Sequence, residues 1–138
     1  MKIAIIDDDQ NDREYLTTYI KNYGQNHPFP FSIDTFSSGE LFFKNSIYTE
    51  YSIIFVDIYM EGIDGVEIAH TIHSSNKDCL IIFFTSSQDD MWRAIKTHAC
   101  FDYLLKTSVT EQNINDVLDS ALKRLHKYDG TLDFIVGK

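Results

Sequence analysis

The chain has 138 residues, of which 43% are hydrophobic and 24% are charged, and these ordinary proportions predict one globular domain with its own core. Its 12 basic residues against 21 acidic ones give a formal net charge of −9, which argues against direct binding to nucleic acid or anionic lipid. No apolar stretch is long enough for a membrane span, and Cys79 and Cys100 form no metal or redox motif, so we expect a reduced, cytoplasmic protein.

Five short apolar runs rich in β-branched and aromatic residues predict five strands. In chain order they are residues 2–6, 31–36, 51–56, 79–84 and 101–105. The segments between them predict helices, because four residue pairs have the spacing of a capping box. These pairs are Asn11 with Glu14, Ser37 with Glu40, Asp64 with Glu67, and Ser108 with Glu111. Residues 24–31, which contain one glycine and two prolines, predict a loop.

This alternation favours an α/β fold: a doubly wound, five-stranded parallel sheet with helices on both faces. Residues 51–56 and 79–84 are apolar on both faces and predict central strands, whereas residues 31–36 alternate and suit an edge. Met91 and Trp92 are expected to cover the apolar face of the fourth helix. We interpret residues 1–126 as the domain and 127–138 as a linker; the terminal TLDFIVGK is either the first strand of a further domain or a strand packing on this one.

Polar side chains follow four of the predicted strands, at the edge where parallel sheets bind ligands. Asp7 and Asp8 follow the first, Asp57 the third, Thr85 the fourth and Lys106 the fifth. Carboxylates gathered in one crevice repel each other, so either a pKa rises or a cation lies between them. Hard oxygen ligands are those that Mg²⁺ prefers, and the pattern therefore predicts a magnesium site.

The same residues have the chemistry needed for phosphoryl transfer. The Asp57 carboxylate is a candidate nucleophile, Lys106 can neutralise phosphoryl charge and Thr85 can donate a hydrogen bond. Asp7, Asp8, Asp57 and the backbone carbonyl of Tyr59 are the candidate metal ligands, with Asp7 acting through water. From the residues alone, Tyr103 is better interpreted as a core or edge aromatic.

Four motifs together resemble the CheY-like receiver domain of two-component response regulators. IAIIDDD is similar to its acidic pair, YSIIFVDIYMEGIDGVEIA to its phosphoacceptor strand and loop, LIIFFTSS to its hydroxyl strand and FDYLLK to its lysine strand. The resemblance covers about residues 1–126. It implies the flavodoxin-like strand order 2-1-3-4-5.

The resemblance also implies roles for individual residues. Asp57 would accept a phosphoryl group from a sensor histidine kinase, with Mg²⁺ bound by the acidic pair, and Thr85 and Lys106 would contact it. Tyr103 would be the switch aromatic, which replaces its interpretation as a core residue. Residues 88–126 would form the output face, through which phosphorylation promotes a homodimer. Such a domain is a signalling switch rather than a turnover enzyme.

Two departures from the family pattern lie beside the site: Thr107 follows Lys106 where the family usually has a cis proline, and Glu61 replaces a common proline. A trans peptide after Lys106 would alter the reach of its loop. DIYMEGIDG and the terminal segment look similar to regulators with a LytTR-type DNA-binding domain, so any contact with DNA would be made by a domain outside this chain. The alternatives are a phosphate-independent pseudo-receiver and a haloacid-dehalogenase-type phosphohydrolase, although Tyr59 stands where such enzymes carry a second acid.

Overall fold

The fold was examined in a computed structural model, which describes residues 1–27 and 31–129. Five parallel strands form one sheet in the order β2-β1-β3-β4-β5, and this confirms the predicted architecture. The strands are β1 (Lys2–Ile6), β2 (Ser32–Phe36), β3 (Ile53–Val56), β4 (Leu80–Thr85) and β5 (Cys100–Leu105). The helices are α1 (Gln10–Gln25), α2 (Gly39–Asn45), α3 (Gly65–Ser75), α4 (Met91–Ile95) and α5 (Glu111–Asp129), with a short 3₁₀ turn at Tyr48–Glu50.

The helices cover both faces of the sheet and divide the core into two layers. Alternate residues of β1, β3 and β4 pack on α1 and α5, and the residues between them pack on α2, α3 and α4. Every residue of β3 and β4 is buried, as expected for strands covered on both faces, whereas β2 lies at an edge and is only partly buried. The apolar stripe of α5, centred on Ile114, Val117 and Leu118, closes the first layer.

Three of the four predicted helix caps are wrong by one or two residues. Asp64 caps α3 as predicted, because its Oδ1 accepts the Glu67 N–H at 2.9 Å. The other caps are Asp9 for α1, Ser38 for α2 and Thr110 for α5, where the prediction had Asn11, Ser37 and Ser108. In each case the first residue of the helix depends on the path of the preceding strand and loop. The spacing of residues near the cap does not specify that path.

Two smaller expectations also differ from the structure. Trp92 does not cover an apolar face, since its side chain is 74% exposed. In α4, which has only five residues, the buried residue is Ala94. The predicted loop at residues 24–31 begins later, since α1 continues to Gln25. The terminal TLDFIVGK lies outside the described residues, and α5 extends to Asp129, into the predicted linker.

Candidate functional site

The carboxyl ends of the interior strands and of β5 meet at one edge of the sheet and bring the predicted site residues together. Asp57, which is 5% exposed, follows the central strand β3. Its Oδ1 accepts the Tyr59 N–H at 3.3 Å, and its Oδ2 accepts a hydrogen bond from Lys106 Nζ at 2.9 Å. The backbone behind Asp57 is packed so closely against Gly65 that a Cβ atom at Gly65 would overlap the Asp57 carbonyl.

Lys106 binds three carboxylates with one ammonium group. Its Nζ lies 2.7 Å from Asp12 Oδ2, 2.8 Å from Asp7 Oδ2 and 2.9 Å from Asp57 Oδ2. The side chain is 14% exposed, and the ammonium also lies over the ring of Phe84 at 5.6 Å from its centroid. The lysine therefore provides a positive charge within a largely buried acidic cluster.

Burial and charge act in opposite directions on the pKa values at this site. Burial raises the pKa of Asp7 to about 6, although Lys106 and the Asp9 N–H both act to lower it. Burial alone would lower the pKa of Lys106, but the carboxylates of Asp12, Asp7 and Asp57 raise it above its usual value. Lys106 is thus fully charged at neutral pH, while Asp7 is held in an environment that disfavours its anion.

The carboxylates also form a candidate cation site. Asp7, Asp8 and Asp57 each offer an oxygen, and these atoms lie within 4.8 Å of one another. Asp8 is exposed at the mouth of the cluster, while the other two lie deeper. A hard divalent cation fits this donor set, because it would relieve the unfavourable burial of the Asp7 anion. Within the described residues, His70 and His73 belong to no such group.

Thr85 ends β4 with a hydroxyl that is fully buried and has no hydrogen-bond partner in the structure. A buried hydroxyl without a hydrogen-bond partner lowers the stability of the folded protein unless another group supplies an acceptor. On the neighbouring strand, the hydroxyl of Tyr103 donates to the backbone carbonyl of Ser87 at 2.5 Å, and its ring packs near Phe83. The tyrosine therefore contacts the loop that directly follows Thr85.

Sequence reasoning missed two side chains around the site, Asp12 and Arg13. Asp9 caps α1, and in the first turn of that helix Asp12 contacts Lys106 while Arg13 donates to the Asp7 carbonyl at 2.6 Å. A signal was available, since charged residues in the first turn of a helix that follows an interior strand lie near the same sheet edge. Only the fold decides which of them reach the site.

The two departures from the family pattern lie in loops whose geometry the structure describes. The described backbone contains no cis peptide, so the Lys106–Thr107 bond is trans, and Lys106 nevertheless reaches Asp57. In the loop after β3, Gly62 has a φ of 76°, a conformation that favours glycine. The next residue, Ile63, donates its N–H to Glu40 Oε2 at 3.1 Å, which ties this loop to α2.

The response regulator receiver domain family matches residues 3–119 of this chain. The chain belongs to this family. The match covers β1 from its second residue, spans the other four strands and reaches into α5, so the site described above lies entirely within it. Receiver domains of two-component response regulators are signalling domains rather than typical turnover enzymes. No helix in the described part of the receiver domain is long and apolar enough to cross a membrane.

Two related proteins show how much of a longer protein this chain matches. Accessory gene regulator protein A of Staphylococcus epidermidis is 28% identical over 131 residues, covering 91% of this chain and 55% of that protein. Sensory transduction protein LytT of Oceanobacillus iheyensis is 42% identical over 65 residues, covering 44% of this chain and 26% of that protein. The chain thus spans about half the length of the first relative and less of the second.

A solved structure of the response regulator TrrA from Thermotoga maritima, in complex with Mg²⁺ and beryllofluoride, is 28% identical with a TM-score of 0.74. The similarity covers 87% of this chain and 97% of TrrA. TrrA is therefore a relative of similar fold whose crystals contain the metal and the fluoride complex.

Proposed function

We propose that this receiver domain accepts a phosphoryl group on Asp57 from a partner histidine kinase. The observation that carries the proposal is the buried Asp57 carboxylate, which shares Lys106 with Asp7 at the end of the central strand. In the transfer, an Asp57 oxygen bonds to phosphorus while the bond from phosphorus to the kinase histidine nitrogen breaks, giving an acyl phosphate. Lys106 then neutralises charge on the phosphoryl oxygens.

Mg²⁺ is the cation that we propose for this site, held by Asp7, Asp8, Asp57 and the Tyr59 carbonyl. The clustered carboxylate oxygens and the Mg²⁺ in the TrrA complex support this assignment. When bound, the metal would supply positive charge to the phosphoryl group during its transfer. The protein itself contributes the fixed positions of the carboxylates and the exclusion of water by the buried strand ends.

Thr85 and Tyr103 are the proposed switch residues. The Thr85 hydroxyl is buried without a partner, and a phosphoryl oxygen on Asp57 would give it an acceptor. Movement of Thr85 toward that oxygen would shift the loop that follows it, which includes Ser87. Because Tyr103 donates to the Ser87 carbonyl, the tyrosine would respond to the loop and transmit the change to the surface.

We propose residues 88–126 as the output face, through which phosphorylation promotes a homodimer. The exposed Trp92 and Ile95 on α4 support this surface, since a large exposed apolar pair often marks a protein contact. The match to LytT supports a LytTR-type DNA-binding domain beyond residues 127–138, and the half-length match to a gene regulator supports transcription as the output. Such a regulator would act in the cytoplasm.

Intact mass spectrometry tests the phosphoacceptor role. The protein would be incubated with acetyl phosphate, with and without Mg²⁺, as the native chain and as Asp57→Asn. We expect one phosphoryl increment in the native chain that requires Mg²⁺ and is absent from Asp57→Asn. Asp34→Asn is the matched control, because Asp34 lies on β2 away from the site and accepts a hydrogen bond from Tyr51, so this variant should be phosphorylated normally.

The alternatives give different results in this experiment or in an assay of phosphate-ester hydrolysis. A folded native chain with no adduct under any of these conditions would support the pseudo-receiver. Continuous hydrolysis of a phosphate ester such as p-nitrophenyl phosphate, at many turnovers per chain, would support the phosphohydrolase. Both results would contradict the proposed switch.

A further inference from the structure

We propose that Asp12 is a positioning residue that anchors the Lys106 ammonium while Asp57 carries a phosphoryl group. This inference rests on the proposed function and extends it to a residue outside the metal cluster. It starts from the number of donors on a lysine, which has three N–H groups and no acceptor. In the structure, three carboxylate oxygens lie 2.7, 2.8 and 2.9 Å from Nζ as ion pairs, and the oxygen of Asp57 also accepts a hydrogen bond from it.

Phosphorylation changes two of these three contacts. The Asp57 carboxylate becomes an acyl phosphate, so the donor aimed at Asp57 Oδ2 would meet the new group instead. Asp7 belongs to the group of carboxylates that can hold a cation, and a bound cation would compete with Lys106 for its oxygens. Asp12 belongs to neither group, and its contact with Lys106 remains available throughout.

The backbone around Asp12 makes it a fixed anchor. Its own N–H donates to the capping Asp9 side chain at 3.1 Å, which holds the first turn of α1 in place. The next residue, Arg13, donates to the Asp7 carbonyl at 2.6 Å and ties the same turn to the end of β1. The Asp12 carboxylate is 30% exposed, so its charge is only partly desolvated.

The Lys106 N–H donates to the Thr85 carbonyl at 2.8 Å, which holds the backbone, but the ammonium lies at the end of a flexible side chain. A proline after the lysine would restrict the backbone further, whereas this chain has Thr107 in a trans peptide. A long lysine side chain on such a loop has many rotamers, and a charge-assisted contact at its tip selects among them. Asp12 thereby keeps one donor of Lys106 aimed at Asp57.

Removing Asp12 would have two opposing effects on the affinity for a phosphoryl mimic. Two substitutions at this position separate these effects. Loss of a negative charge near the site would strengthen anion binding, while loss of the anchor would weaken it. Asp12→Ala removes both charge and acceptor, whereas Asp12→Asn removes the charge and retains an oxygen that can accept from Lys106. If anchoring dominates, Asp12→Ala binds a phosphoryl mimic most weakly and Asp12→Asn recovers part of the affinity.

The test uses beryllofluoride, a phosphoryl mimic, titrated at saturating Mg²⁺ and followed by ¹⁹F NMR. We expect the affinity of Asp12→Ala to be about fivefold weaker than that of the native chain, with Asp12→Asn in between. Glu14→Ala is the matched control: it removes a carboxylate from the same helix, where Glu14 accepts only from Gln10 in the described contacts. This control should bind beryllofluoride as the native chain does.

A double-mutant cycle shows whether Asp12 acts through Lys106. In a Lys106→Ala background, we expect Asp12→Ala to cause no further loss of affinity, since the ammonium it positions is gone and only the effect of removing a negative charge remains. Equal effects in both backgrounds, tighter binding by Asp12→Ala, or a loss no larger than that of Glu14→Ala would each overturn the inference. If the native chain itself binds no beryllofluoride, the proposed function fails and this inference fails with it.

Discussion

The two ends of the sheet each place a lysine against carboxylates, but in different surroundings. At the amino-terminal end, Lys2 lies 3.1 Å from Glu50 and 4.0 Å from Asp34, and all three side chains are 38–49% exposed. At the carboxyl-terminal end, Lys106 is 14% exposed and its partner Asp7 only 2%. Water screens the first cluster, so its ion pairs contribute little to folding. The second is largely desolvated.

The difference explains why the candidate site lies at the carboxyl-terminal end. Charged groups that are buried together shift each other's pKa values and are stabilised by a bound ion of opposite charge. Solvated charged groups do neither. Only at the carboxyl-terminal end does burial raise the pKa of a described aspartate, Asp7, and leave a threonine hydroxyl, that of Thr85, without a partner. Four predictions test this contrast, from the largest expected effect to the smallest.

Gly65→Ala should produce the largest loss of stability. The new Cβ would overlap the backbone carbonyl of Asp57, which cannot move without displacing β3, so we expect the free energy of unfolding to fall by about 3 kcal/mol or more. Urea unfolding measures it. In the control Gly39→Ala, the new methyl meets the end of the Ile68 side chain instead of backbone atoms, so we expect a smaller loss. Equal losses in the two variants would show that the backbone at the site is not tightly packed.

Replacing each lysine by methionine compares the two ends directly. Lys106→Met leaves Asp7 and Asp57 without their cation in a buried place, and we expect a loss of about 2 to 3 kcal/mol in metal-free buffer. Lys2→Met should cost less than about 1 kcal/mol, because its partners remain solvated. Thermal or urea unfolding of both variants measures the contrast. Similar losses would mean that desolvation does not distinguish the two ends.

Asp7→Asn should raise stability and change its dependence on pH. The pKa of Asp7 rises from 3.8 to about 6 on folding, so the folded chain binds this proton more tightly than the unfolded chain does. The contribution of Asp7 to stability is therefore present in acid and is lost as the pH rises through about 6.

The variant carries no such proton, and we expect it to be more stable than the native chain by about 2 kcal/mol at neutral pH without metal. Urea unfolding across the acid range should show a flatter pH profile than that of the native chain. Asp34→Asn is the control for removing a carboxylate at the opposite, solvated end of the sheet. A profile in Asp7→Asn that still falls as the pH rises would assign the titration to another group.

His98→Gly should have the smallest effect. His98 lies in the turn between α4 and β5 with a φ of 59°, a conformation that glycine adopts without steric cost. We expect a gain in stability of about 0.5 to 1 kcal/mol and unchanged phosphorylation, because the turn lies toward the amino-terminal end of β5, away from the site. A substantial change in the rate of phosphorylation would connect this turn to the carboxyl-terminal end.

The class of fold and several of the site residues follow from the sequence alone. The periodicities of strands and helices can both be read from short stretches of sequence. Apolar runs of strand length, separated by helical segments, therefore indicate a parallel sheet. Parallel strands point the same way, so residues after different strands share one edge, and Asp57, Thr85 and Lys106 were located in this way. Their roles in phosphorylation stay predictions until the adduct is measured.

The tertiary structure decided which side chains touch. The approach of Asp12 to Lys106 depends on how α1 leaves β1 and how the loop after β5 returns, and neither is encoded in a short pattern. The caps at Asp9, Ser38 and Thr110 likewise depend on where each strand delivers the chain. Trp92 is exposed because α4, a helix of five residues, packs on the core through Ala94 instead. These outcomes arise from contacts between segments distant in sequence, where packing and desolvation outweigh local preference.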